Sequence, residues 1–115
     1  MERQIRVLED EFGNYPFQQW LRGLPDVVAR ARIDARVTRL RAGNPGQFRN
    51  LGDGVYEMKI DYGPGYRVYY TEASSVIVVL IGGGSKKTQQ DDLDHAKALW
   101  RRCKDDPERL RRIIR

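Results

Sequence analysis

Residues 55–71 read VYEMKIDYGPGYRVYYT, and their alternation decides the fold. Tyr56, Met58 and Ile60 fall on one face of an extended segment, and Glu57, Lys59 and Asp61 fall on the other. The turn Gly63-Pro64-Gly65 follows. Beyond it Tyr66, Val68 and Tyr70 alternate with Arg67, Tyr69 and Thr71. Two period-2 runs around such a turn predict a β-hairpin.

Downstream, Val76 to Ile81 is an unbroken apolar run, as expected of a central strand buried on both faces. Gly82-Gly83-Gly84 is expected to terminate it. A last helix is expected from about Gln89, with Leu93, Ala96, Trp100 and Cys103 at 3-4-3 spacing. Pro107 ends or kinks that helix, and the tail ERLRRIIR continues as a short one. Upstream, residues 3–8, RQIRVL, suit a short first strand. Asn14 and Pro16 mark a helix start, and Phe17, Trp20, Leu21 and Leu24 follow at helical spacing. Gly23 ends that helix, and Pro25 with Asp26 opens a second, running to about Ala42. Its apolar stripe is Ala29, Ile33, Val37 and Leu40, with Arg32, Arg36 and Arg39 on a neighbouring face and Arg30 and Arg41 beyond. Gly43-Asn44-Pro45-Gly46 breaks the chain. The order β-α-α-β-β-β-α describes an α+β fold: a small antiparallel-rich sheet packed against a helical hairpin, with a C-terminal helix.

The 115 residues make one domain, 1–115, ending in a basic tail over 105–115. Hydrophobic residues at 40% and charged residues at 32% exclude a disordered chain. No apolar run approaches the ~18 residues that cross a bilayer. MERQIRVLEDEF lacks an h-region, which argues against a signal peptide, so a cytoplasmic protein without a membrane partner is expected. The lone Cys103 excludes an internal disulfide, and the lone His95 argues against zinc and against a Cys–His nucleophilic pair. No cofactor is expected.

Lys plus Arg total 21 against 16 Asp plus Glu, giving a net charge of +5 and a pI of about 9.6. That balance suits either a nucleic-acid partner or a domain that is simply basic and soluble. If the apolar face of the hairpin meets the helices, then Glu57, Lys59, Arg67 and Tyr69 share the other. There Arg67 could hold a phosphate and Tyr69 could stack on a base. Alternatively that face is solvated, with cross-strand charge pairs. GGGSKKTQ, residues 82–89, leaves a strand for a helix N-terminus. It reads as an anion site strengthened by Lys86 and Lys87, or as an ordinary glycine turn. The GxxxxGK[ST] spacing is absent, which excludes a phosphate loop for nucleoside triphosphates. The arginine face of the second helix is a partner surface or a solvated face, and Arg109, Arg111, Arg112 and Arg115 could add attraction for RNA. His95, among Asp91, Asp92 and Asp94, reads as a surface residue, and Cys103 as core packing.

Three strings, FQQWLRGLPDVVARARIDARVTRLRAGNPG (17–46), LGDGVYEMKIDYGPGYRVYY (51–70) and VIVVLIGGGSKKTQQDDLDHAKALW (76–100), carry a resemblance. The chain resembles the RelE/ParE toxin superfamily from about Tyr15 to Trp100, most closely its HigB-like "addiction module killer protein" branch. The resemblance implies the toxin of a type II toxin-antitoxin system. Such a toxin is a metal-independent endoribonuclease that cleaves mRNA on the ribosome by 2′-OH attack, leaving a 2′,3′-cyclic phosphate. It implies catalytic roles for Arg67 as phosphate ligand, Lys59 in proton transfer and Lys86 as a further cation, with Glu57 as an alternative base. Lys87, Tyr69 and Arg49 would contact RNA. It also implies a HigA-like helix-turn-helix antitoxin as partner, through which operator DNA would be met. The aromatic that RelE carries in its last helix has no counterpart, and Tyr69 is expected to substitute for it. His95 does not align with the histidines of some HigB enzymes. ParE-like relatives, which bind DNA gyrase and cleave nothing, are the alternative, as is a non-toxic module that works only with its antitoxin.

Overall fold

The hairpin of residues 55–71 forms as β3 (Val55–Ile60) and β4 (Tyr66–Glu72) in a computed structural model that describes residues 2–112. Its register sets Glu57 opposite Tyr69, Met58 opposite Val68 and Lys59 opposite Arg67. The next strand, β5 (Ile77–Ser85), pairs antiparallel with β4, and β1 (Gln4–Val7) pairs parallel with β5. A strand the alternation does not reveal, β2 (Phe48–Gly52), pairs antiparallel with β3 and closes the sheet on that side. The order is β1-β5-β4-β3-β2, a mixed five-stranded sheet rather than the four strands expected. β2 escapes the pattern because an edge strand has little to bury: of its five residues only Leu51 is not exposed.

The three glycines do not end β5, which runs through them to Ser85. The reason for glycine there is proximity. A Cβ on Gly83 would lie 2.2 Å from the Trp20 ring, and one on Gly84 would lie 1.8 Å from an Asp92 carboxylate oxygen. The two neighbours come from opposite sides of the sheet, so both layers approach the strand too closely for any side chain.

α1 (Pro16–Gly23) lies over β5 and α2 (Val27–Arg41) over β3. Asp26 caps α2 by accepting from the Val28 and Ala29 N–H groups at 2.9 and 3.2 Å, a cap worth about 1 kcal/mol. Phe17, Ala29, Ile33 and Leu40 form one core with Met58, Ile60, Val68 and Tyr70, as the alternation requires, and Val37 packs partly buried against it. The other face is covered by α3 (Gln89–Lys104), reached through a 3-10 turn at Lys86–Thr88. Ala96, Leu99, Trp100 and Cys103 form the second core with Leu8, Val55, Tyr69, Val79 and Ile81. The sheet is therefore a middle layer. The chain breaks before Pro107 and resumes as α4 (Pro107–Arg112). Arg115 and the side chains of Arg109, Arg111 and Arg112 lie outside the described residues, and with them the expected contribution of the tail. No helix among the described residues is long and apolar enough to cross a membrane.

Candidate functional site

Cross-strand register brings the charged residues of the hairpin together. Arg49 on β2, Glu57 on β3 and Tyr69 on β4 form one row on the α3 side of the sheet, and Lys59 with Arg67 forms the next. α3 covers the apolar end of this face but leaves the charged end open. There the strands and the first residue of α3 enclose a groove of about 360 Å³, lined by Gln47, Phe48, Arg49, Glu57, Lys59, Arg67 and Gln89.

Glu57 is the hub. It is only 5% exposed. One carboxylate oxygen lies 3.1 Å from the Arg49 guanidinium. The other accepts from the Gln89 side-chain amide at 2.9 Å and lies 4.0 Å from Arg67 Nε. Arg67 is also buried, and its Nη1 donates to the Gly65 carbonyl at 2.9 Å. Its Nε is buried without a hydrogen bond, turned toward Glu57 beyond bonding distance. Arg49 is half exposed and can swing, and Lys59 is partly exposed beside Arg67. The groove thus holds three cations against one carboxylate, and the outer two can reach solvent.

The hairpin's charged face is therefore not a stacking platform: it is largely buried, and the expected cross-strand charge pair forms between Arg49 and Glu57. Tyr69 is 1% exposed beneath α3, with its hydroxyl donating to the Gln89 carbonyl at 3.5 Å. Burial, then the negative charges of Glu57 and Asp92, pushes its pKa well above the usual tyrosine value. The expectation that Tyr69 stacks on a base is corrected: α3 occupies the ring face a base would need. Lys86 is exposed at the margin of the groove. Its backbone N–H donates to the same Gly65 carbonyl that accepts from Arg67, at 2.8 Å, so main chain ties it to the site. Lys87 is exposed on the same 3-10 turn and does not line the groove. Arg49, Glu57, Lys59 and Arg67 are thus brought together, Lys86 adjoins them, and Lys87 and Tyr69 do not take part in the lining.

Two residues the sequence reading passed over matter here. Gln89 had no signal beyond its place at a helix start, yet it is the neutral ligand of Glu57. Arg36 was grouped with Arg32 and Arg39 on an arginine face. In fact it turns under the sheet edge and donates to the carbonyls of Lys59, Pro45 and Gln47 at 2.6, 2.9 and 3.3 Å. Arg32 lies over the Tyr62 ring, 4.7 Å from its centre. His95 is exposed and Cys103 is fully buried, as expected. Among the described residues no group of three or more His, Cys, Asp or Glu side chains could hold a metal ion.

No family model matches the chain, and no solved structure matches it. An "Uncharacterized protein" of Haemophilus influenzae (strain ATCC 51907 / DSM 11121 / KW20 / Rd) is 45% identical over 83 residues, covering 72% of this chain and 84% of the relative. Identity at that level across most of both chains means that this chain belongs to the same family as the Haemophilus influenzae protein.

Proposed function

We propose that the chain is a RelE-like toxin of the HigB-like branch, an endoribonuclease that cleaves ribosome-bound mRNA in the cytoplasm and is restrained by a HigA-like antitoxin. The observation that carries this reading is the groove in which Arg49, Lys59 and Arg67 surround Glu57. A further support is the mixed sheet with a helix pair on one face and a terminal helix on the other, the arrangement a RelE-like topology needs.

In the reaction a ribose 2′-oxygen attacks the adjacent phosphorus and the bond to the 5′-oxygen breaks. The products are a 2′,3′-cyclic phosphate and a 5′-hydroxyl. One proton leaves the 2′-OH and one is delivered to the leaving oxygen, while the phosphoryl oxygens gain negative charge. Lys59 and Arg49 can reach a phosphate at the mouth of the groove, and Arg67 adds positive potential from beneath. Both oxygens of Glu57 are already engaged by Arg49 and Gln89, so its role is to hold the arginines in place. Lys59, with Lys86 at the margin, is left to move protons. The test is RNA 3′-end mapping after brief induction in cells. New ends within reading frames, carrying cyclic phosphate and lost with Arg67→Ala, are the expected result. Arrest of DNA synthesis with no new RNA ends would refute ribonuclease action and favour gyrase inhibition.

A further inference from the structure

A second cavity, of about 290 Å³, lies on the α3 side of the sheet at the edge away from β2. Its walls follow from the periodicities. Ile77 and Val79 are alternate residues of β5 and share the face that α3 covers. Parallel pairing sets Arg6 of β1 beside Val79. Trp100 and Lys104, four residues apart on α3, stand one above the other on the same helix face. Leu110 of α4 closes one side and Ala73, just after β4, forms part of the lip.

The lining combines an apolar body with two cations. Ile77, Val79, Leu110 and the Trp100 ring form the floor, and among the described residues Arg6 and Lys104 are the only charged ones lining it and no carboxylate does. Arg6 donates to the Gln4 side-chain carbonyl at 2.6 Å, a neutral partner, and among the described residues neither cation forms an ion pair. An apolar cavity with a few convergent charges is the usual form of a small-ligand site. The volume corresponds to about ten water-sized groups at ~30 Å³ each. From this geometry we propose that the cavity under α4 binds a small amphipathic carboxylate, with its hydrocarbon part against Trp100 and its carboxylate between Arg6 and Lys104. The site lies apart from the groove and stands whether or not the chain cleaves RNA.

The full chain with Trp20→Phe keeps Trp100 as its single tryptophan, and its emission can be titrated with octanoate, octan-1-ol and octylammonium. Octanoate is expected to give a saturable change, with the alcohol and the amine at least about tenfold weaker. Lys104→Gln and Arg6→Gln should each weaken octanoate about threefold, and the pair about tenfold. Neither change touches the core, so both variants should fold; circular dichroism checks this. Ala73→Phe, at an exposed lip position, should block the cavity and abolish the response without adding a second tryptophan. A response equal for acid and alcohol, one unmoved by the double variant, or no saturable response would overturn the proposal.

Discussion

Arg36 and Arg67 lie on opposite faces of the same hairpin, and both have a buried Nε that no hydrogen bond satisfies. Their remaining contacts differ in kind. Arg36 spends its guanidinium on three main-chain carbonyls, which pin the Gly43–Gln47 segment to β3. Gly46 makes room for it, since a Cβ there would lie 2.8 Å from Arg36 Nη2. Arg67 has one main-chain carbonyl, a carboxylate just beyond bonding range and an open groove beside it. A buried cation whose partners are all main chain is a staple. One whose side-chain partner lies beyond bonding distance, beside an open groove, is available to a ligand. Residue type and an unsatisfied buried Nε are common to both, although Arg67 is the more deeply buried, so the partners carry the distinction.

A structural role for Arg67 would erase this difference. Arg67→Ala should lower RNA cleavage by about 10²–10³-fold, the usual cost of losing one charge-stabilising donor. The thermal midpoint should move much less than for the Arg36 variant. A variant that cleaves as well as the parent would return Arg67 to the scaffold. For Arg36→Ala the expectation reverses: about 3 kcal/mol of stability lost in urea unfolding, with cleavage per folded molecule unchanged. Burial, and next the charge of Arg39, lowers the Arg36 pKa from its ordinary value, a further sign that its charge is held for structure at a cost.

How far the sequence reached follows the same division. The alternation of 55–71 yields the hairpin and the residues that share each of its faces, because period 2 maps directly onto faces. It cannot say what lies on the second face. The α3 stripe Ala96, Trp100 and Cys103 was visible, but only tertiary packing sets it on Tyr69 rather than beside the hairpin. Gly82-Gly83-Gly84 reads as a stop because glycine is a local breaker. For Gly83 and Gly84 the cause is non-local, through Trp20 and Asp92. Arg36 and Arg67 are indistinguishable as letters, since both sit among other cations and neither string records which carbonyls or carboxylates fold against it. Gln89 is invisible for the same reason.

The two adjacent tyrosines divide between the same two faces. Tyr70 belongs to the face of Arg36, where it stacks on Tyr56 with ring centres 5.4 Å apart, and Tyr69 belongs to the face of Arg67. Burial, then Glu72 and Tyr56, pushes the Tyr70 pKa up to about 12 from 10.0. The folded state keeps a proton that the unfolded chain releases above pH 10. This contribution is therefore intact below pH 10 and is lost as pH rises toward 12, by at most about 2–3 kcal/mol. Tyr70→Phe should flatten that alkaline decline in unfolding free energy without removing it, because Tyr69 is shifted in the same direction. An unchanged slope would mean that Tyr70 ionises without feeling its burial.

The smallest effect bears on the hub. If Glu57 is a general base, Glu57→Gln abolishes cleavage. If it is a holder of arginines, the substitution keeps the shape and one acceptor, frees Arg49 from its ion pair and removes the only negative charge lining the groove. Binding of a 2′-deoxy oligonucleotide, which cannot be cut by 2′-OH attack, should then tighten by about threefold at low salt, the scale of one exposed ion pair. The gain should shrink as salt is raised, because it reports an additional cation free to meet phosphate. Cleavage of the ribose substrate should stay within about threefold of the parent. Looser binding would mean that Arg49 and Arg67 need the carboxylate to stay in position, and loss of cleavage with unchanged binding would hand the proton to Glu57.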